Sequence, residues 1–286
     1  MSASPDGAPR SVPALEVEHV SAAYGPYRAL FDVSFAVPAG AVTALIGSNG
    51  AGKSTVARVV TGLLAATEGT VRLEGTDVTD LPAYRIARAG VAHVPEGRGV
   101  FANLTVEENL KVAFRQRLGR RAVAAALERA YASFPVLGAR RRQLGGTLSG
   151  GEQRILSLAK IIVVPPHLVV ADEISLGLAP LMIDADYDGL RRIQAAGTAL
   201  LIVEQQVDRV LDVASSAVVL EHGSVVFAGP TSGALAAVEQ VLAARSERAT
   251  SGAPVGSAPS GPPPQPSADQ SRRRRRWGGA GAGPAE

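Results

Sequence analysis

The chain has 286 residues, of which 46% are hydrophobic and none is cysteine, so it is long enough to bury a large core but has no disulfide framework, thiolate metal site or thiol nucleophile. Its formal charge of +3 includes five consecutive arginines, Arg272–Arg276; removing those five leaves −2, a near-neutral body from which no specific nucleic-acid partner is expected. The most apolar run, Ile161–Ala171, is broken by Pro165, Pro166 and His167. A membrane-spanning helix needs about 20 apolar residues.

Residues 1–13 are rich in Ser, Ala and Pro and read as a disordered N-terminus without the basic and apolar regions of a secretion signal. Leu15–Val20 and Phe31–Val37 are short, rich in β-branched residues and bounded by Gly, Pro or Asp, as is Val71–Glu74 further on. These three predict an antiparallel β portion. Val42–Ile46, Val91–Val94, Leu168–Ala171 and Ala199–Val203 are continuous apolar runs, the pattern of parallel strands covered on both faces. They predict a buried central sheet.

After Val42–Ile46 comes Gly47-Ser48-Asn49-Gly50-Ala51-Gly52-Lys53-Ser54-Thr55, which matches the phosphate-binding loop motif between a strand and a helix. The glycines let the backbone wrap until its N–H groups point inward, and the positive end of the following helix faces the phosphates. Lys53 then reaches the β and γ phosphates, Ser54 offers a hydroxyl to Mg²⁺, and Thr55 adds a phosphate contact. Val56, Val59, Val60 and Leu63 lie at i, i+3, i+4 and i+7, one apolar helix face.

Thr105-Val106-Glu107-Glu108 has the spacing of a capping box, and Leu104 to about Arg142 reads as a mostly helical insert. Leu148-Ser149-Gly150-Gly151-Glu152 lies 96 residues beyond Lys53 and opens a further helix whose apolar face is Ile155, Leu158, Ala159 and Ile162. The Ser149 hydroxyl and the amides of Gly150 and Gly151 make a second anion-binding helix start. One chain rarely needs two.

This pairing resembles the ABC ATPase family, in which the signature loop of one protomer closes over the nucleotide held by the phosphate loop of another. Flanking strings follow in that family's order. Leu168–Glu173 is an apolar strand ending in two acids, so the resemblance makes Asp172 a holder of the Mg²⁺ shell and Glu173 the group that orients or deprotonates the attacking water. Tyr24 resembles the aromatic that stacks on adenine. The implied fold is α/β, a P-loop NTPase (RecA-like) core with a mixed sheet, an antiparallel β portion and a helical subdomain. The ATPase domain is expected over 14–243, with the helical subdomain at about 97–159 and a disordered Ser/Gly/Pro/Arg-rich tail over 244–286.

Within that family, three features resemble the Liv-type branched-chain amino-acid importers: Val94-Pro95-Glu96-Gly97-Arg98 with Leu104–Leu110, Ser175–Pro180, and Val203-Glu204-Gln205-Gln206. Glu96 stands where most relatives carry a Mg²⁺-touching glutamine, and a carboxylate remains a good ligand for that ion. Gln205 takes the usual switch-histidine position, so its γ-phosphate contact does not titrate near pH 6.5. Ala179 replaces an aspartate. Ile174, in place of the proline that usually follows the catalytic glutamate, departs even from this branch and frees φ there. The four histidines, at 19, 93, 167 and 222, have no metal-ligand spacing.

The resemblance implies an ATP- and Mg²⁺-using subunit that pairs with a second ABC ATPase subunit beneath two transmembrane permeases. A solute-binding protein outside the membrane takes part indirectly, and the expected location is the cytoplasmic face of the membrane. The alternatives are an exporter ATPase, or a soluble ABC protein acting on a macromolecule. The 96 residues between the two motifs leave no room for the long heptad arms of chromosome-maintenance relatives.

Overall fold

The computed structural model describes residues 12–95, 99–173 and 180–250. β1 (Leu15–Tyr24) and β2 (Tyr27–Val37) form a hairpin, and β3 (Val42–Gly47) runs through the glycine-rich loop into α1 (Lys53–Val60). β4 (Glu68–Leu73), β5 (Thr76–Asp77), α2 (Ala83–Arg88) and β6 (Val91–Val94) follow. Then come the helices α3 (Val106–Leu118), α4 (Val123–Ser133), α5 (Pro135–Ala139) and α6 (Gly150–Ile162). β7 (Leu168–Asp172), α7 (Pro180–Ala195), β8 (Ala199–Glu204) and α8 (Val207–Leu211) return to the core. A hairpin of β9 (Ser216–Glu221) and β10 (Ser224–Pro230) leads into α9 (Thr231–Thr250).

Two sheets result. The antiparallel one has the order β2-β1-β4-β5, and the larger one the order β10-β9-β3-β8-β7-β6 with only β10 antiparallel. The expected antiparallel portion and buried parallel strands are therefore both present. β7 and β8 are buried along their whole length. Leu168 and Val170 face a core shared with α1 and the antiparallel sheet, while Val169 and Ala171 face a second core with α6, α7 and α8. Period-2 alternation between two dry faces is why the sequence shows an unbroken apolar run.

The helical insert has its own core, built from Leu110, Phe114, Leu127, Leu137 and Leu156. α3 begins in the expected capping box, with Thr105 Oγ1 accepting the Glu108 N–H and Glu108 accepting the Thr105 N–H. α6 lies between two cores. Leu156 and Ala159 serve the insert while Ile161 serves the central sheet, so of the single face expected at Ile155, Leu158, Ala159 and Ile162 only Ala159 is fully buried and the other three are half-buried. Two stripes on one helix blur the simple amphipathic signature.

Other details depart from the sequence reading. α1 ends at Val60, and the chain turns at Gly62 with φ +70, leaving Leu63 60% exposed rather than on the helix face. Glu74 leaves its strand and takes φ 47 in the turn before β5. α9 continues to Thr250, so residues 244–250 are helical where disorder was expected. α7 was not read from the sequence, although Ile183, Tyr187, Leu190 and Ile193 recur at helical spacing and are buried. The remaining tail lies outside the described residues.

Gly69 has φ +85, and a Cβ there would meet the carbonyl oxygen of His19 at 2.3 Å, whereas Gly25, at φ +59, has open space around it. Gly25→Ala carries only the left-handed backbone cost, about 1–2 kcal/mol. Gly69→Ala adds a backbone clash that must move β1, and is expected to cost roughly 1–3 kcal/mol more in urea unfolding. Equal losses for the two variants would show that β1 and β4 are not held this closely.

Candidate active site

Three adjacent parallel strands, in the order β3-β8-β7, end at one edge of the larger sheet. β3 delivers the glycine-rich loop, β7 ends in Asp172 with Glu173 next in the chain, and β8 ends in Glu204 with Gln205 next. Register keeps these ends level: Ile46 lies opposite Glu204, and Asp172 opposite Val203. The C-terminal edge of a parallel sheet is where such folds bind ligands.

Gly52 is the N-cap of α1 at φ 104, with β2 so close that a Cβ would meet Leu30 at 2.9 Å and the Ala29 carbonyl oxygen at 3.2 Å. Only glycine fits both constraints. The Gly223 N–H donates to the Ala51 carbonyl at 2.9 Å, so the β9–β10 turn braces the loop from the other side.

The Lys53 side chain is only 3% exposed, and its Nζ donates to the carbonyls of Gly47 (2.9 Å) and Ser48 (3.1 Å) while lying 3.7 Å from Glu173 Oε1. Burial pushes its pKa down, and the neighbouring Glu173, Asp172 and Glu204 oppose that. Glu173 accepts a 2.9 Å hydrogen bond from Gln205 Nε2. Its φ of 46 is left-handed. Such strain persists only where the surroundings hold it, and the Glu173 N–H is fixed to the Val203 carbonyl at 2.9 Å.

Ser54 Oγ donates to Asp172 Oδ1 at 3.4 Å. This hydroxyl and carboxylate supply hard oxygen donors of the type Mg²⁺ prefers, and that ion commonly takes one or two carboxylates plus phosphate oxygens. Among the described residues no group of three or more His, Cys, Asp or Glu could hold a metal by itself. Ser48 Oγ is buried without a hydrogen-bond partner among the described residues.

A cleft of about 340 Å³ unites Gly50, Gly52, Lys53, Ser54, Thr55 and Glu173. Arg28, Phe31 and His222 also line it. The sequence reading missed these three, and no motif marks them. It also passed over Glu204, a carboxylate only 2% exposed whose charge acts on Lys53 and whose Oε2 accepts the Gln205 N–H at 3.3 Å. A buried acid at a strand end beside two others was the available signal.

Asp172, Ala51 and residues 47–49 adjoin that cleft in the chain, and Gln205 through its bond to Glu173, without lining it. Tyr24 and residues 149–152 are not on its lining either. Tyr24 ends β1 and is 40% exposed, under the Arg58 guanidinium. Ser149 caps α6, accepting the Glu152 N–H at 3.3 Å, and Glu152 accepts the Ser149 N–H at 2.9 Å and pairs with Arg140 Nε at 2.8 Å. These bonds hold the Glu152 carboxyl below its ordinary range, first through the Ser149 N–H. Ser149 keeps its own O–H to donate. Glu96, Ile174 and Ala179 lie outside the described residues.

A larger cavity, about 510 Å³, opens between β6 and α3 and is lined by Val94, Phe101, Val112, Lys160 and Ile161, among others. Lys160 Nζ donates to the Gly99 carbonyl (3.0 Å) and Asn109 Oδ1 (3.2 Å), just past the segment that carries Glu96. Burial lowers its pKa to about 8.

The loop, the strand-end acids and the sheet order define a P-loop NTPase. Comparison with known proteins gives the family: the ABC transporter family model matches residues 30–175. The chain is 39% identical over 214 residues to the high-affinity branched-chain amino acid transport ATP-binding protein BraG of Pseudomonas aeruginosa, covering 74% of this chain and 91% of that relative. It is 35% identical over 216 residues to the probable branched-chain amino acid transport ATP-binding protein LivF of Archaeoglobus fulgidus, covering 75% and 91%. Among solved structures, the ADP conformation of an ATP-binding cassette of an ABC transporter is similar at 26% identity and a TM-score of 0.68, covering 80% of this chain and 98% of that one. The chain belongs to the ABC transporter family as a nucleotide-binding ATPase subunit whose hydrolysis is coupled to transport. Among its described residues no helix is long and apolar enough to cross a membrane.

A lysine whose folded pKa lies below its unfolded value binds fewer protons when folded, so stability rises with pH across that interval. For Lys160 the interval runs from about 8 to 10.5. Unfolding of the wild type against Lys160→Met is therefore expected to show a stability difference that shifts toward the wild type as pH rises through this window. A difference independent of pH would contradict the burial of that ammonium group.

Proposed function

We propose that this chain is the ATP-hydrolysing subunit of an importer for branched-chain amino acids or similar small polar solutes. It would act at the cytoplasmic face of the membrane with a second ABC ATPase subunit and two permeases, and with a solute-binding protein as indirect partner. The observation that carries the reading is the convergence of Lys53, Glu173 and Gln205 at three level strand ends, in a chain similar to two branched-chain amino acid transport ATP-binding proteins.

In this reading the amides of Gly47–Thr55 cradle the phosphates, and Lys53 exchanges its loop carbonyls for β and γ oxygens. Thr55 adds a phosphate contact from the first turn of α1. Ser54 and Asp172, joined by Glu96, would hold Mg²⁺, which would supply neutralisation of the charge developing on the phosphate oxygens. Glu173 orients the attacking water and takes its proton, while Gln205, a neutral amide already bonded to Glu173, fixes that carboxylate and contacts the γ-phosphate. Tyr24 carries the base.

Ser149, Gly150 and Gly151 serve the nucleotide of the partner subunit. Glu152 shapes that loop through its cap and its pairing with Arg140. ATP thus closes two subunits, and hydrolysis releases them. We assign the ATPase domain to 14–243, with the helical subdomain beginning near 97, and leave the chemistry to that domain.

Replacing Glu173 by Gln keeps the shape and removes the base. ATP hydrolysis is expected to fall by roughly 10²–10⁴-fold, the usual worth of a general base, while a stable ATP-bound dimer accumulates in size-exclusion chromatography. Normal phosphate release by that variant would remove Glu173 from the chemistry.

A further inference from the structure

Tyr24 belongs to the antiparallel sheet, whereas the phosphate loop belongs to the larger one. A base platform useful to a nucleotide must sit at a fixed span from the phosphates. The described contact that ties Tyr24 to the loop's own helix is Arg58, five residues beyond Lys53 on α1. Its guanidinium carbon lies 5.9 Å from the Tyr24 ring centroid, and Nη1 donates to the phenol oxygen at 3.1 Å. The cation–π contact holds the charge against the ring. The hydrogen bond fixes its rotation and reach.

We propose that Arg58 is a positioning residue for the nucleotide base: it fastens the Tyr24 ring to α1, so that the base platform and the phosphate cradle move as one body. This rests on the nucleotide-site reading given above and on Tyr24 as the base platform. Arg58 is exposed, and its side chain is not on the lining of the phosphate cleft, so it acts through the ring and not on the phosphates. A guanidinium suits this task better than an ammonium, because its rigid fork can donate to the phenol oxygen while its delocalised charge faces the ring. The platform reads a π face, which every base has, so the strut sets affinity for a nucleoside triphosphate over a bare polyphosphate.

The test measures binding of ATP and of inorganic tripolyphosphate, each with Mg²⁺, to the full chain and to Arg58→Ala, Arg58→Lys, Tyr24→Ala and the Arg58→Ala/Tyr24→Ala double variant, with thermal unfolding as the check on folding. Arg58→Ala is expected to weaken ATP binding about tenfold, the scale of one cation–π contact with its hydrogen bond, and to leave tripolyphosphate binding unchanged. Arg58→Lys should recover part of the loss. The double variant should bind ATP no worse than Tyr24→Ala alone.

Parallel loss of tripolyphosphate binding would overturn the proposal by making Arg58 a phosphate contact. So would a loss that persists in full without Tyr24, or no loss at all. If Tyr24→Ala leaves ATP binding intact, the platform lies elsewhere, with the Arg28–Phe31 pair in the cleft as the next aromatic (5.2 Å from guanidinium to ring centroid), and the proposal falls while the phosphate site stands. If the wild type binds neither ligand, the nucleotide-site reading itself fails.

Discussion

The register of three parallel strands governs the rest of the molecule. β3, β8 and β7 lie side by side with Ile46 opposite Glu204 and Asp172 opposite Val203, so a lysine loop, a glutamine and two acids emerge together. A slip of one residue would exchange the side chains fitted to the two core faces and carry the strand-end acids out of line with the loop. The dry alternation of Leu168 and Val170 against Val169 and Ala171 therefore fixes the strands and the chemistry at once. Burial of each such side chain is worth about 1.5–3 kcal/mol, enough to hold Glu173 at a left-handed φ beside it.

Electrostatics follows from that placement. Lys53 is nearly covered, and its charge is sustained by Glu173, Asp172 and Glu204 around it. Acids gathered around one ammonium suit a site built to receive a divalent ion together with a triphosphate. The start of α6 is chemically different. Its Ser149 hydroxyl accepts the Glu152 N–H in the helix cap, and Glu152 is occupied with that cap and Arg140.

Much of this was legible in the sequence because it depends on local rules. The glycine spacing at 47, 50 and 52, the capping box at Thr105 and the continuous apolar strands are each set by backbone geometry or by period. What was hidden depends on tertiary neighbours. α6 faces two cores, so its single-stripe pattern omits the buried Leu156 and Ile161. Leu63 continues a helical spacing that Gly62 ends. Arg28, Phe31 and His222 reach the cleft through pairing across distant strands, and Arg58 meets Tyr24 across 34 residues. No window of the sequence contains these contacts.

The central claim is that the Gly47–Thr55 loop of one subunit and the Ser149 helix start of another enclose one nucleotide. The absence of cysteine makes a direct measurement simple. Two separately tagged copies of the Glu173→Gln chain, one with Asn49→Cys and the other with Gly150→Cys, are mixed with and without Mg²⁺ and ATP under mild oxidation. A crosslinked dimer carrying both tags, formed only with nucleotide, is the expected result. No crosslink between chains, together with crosslinking inside a single chain that carries both cysteines, would place both motifs in one protomer's site and contradict it.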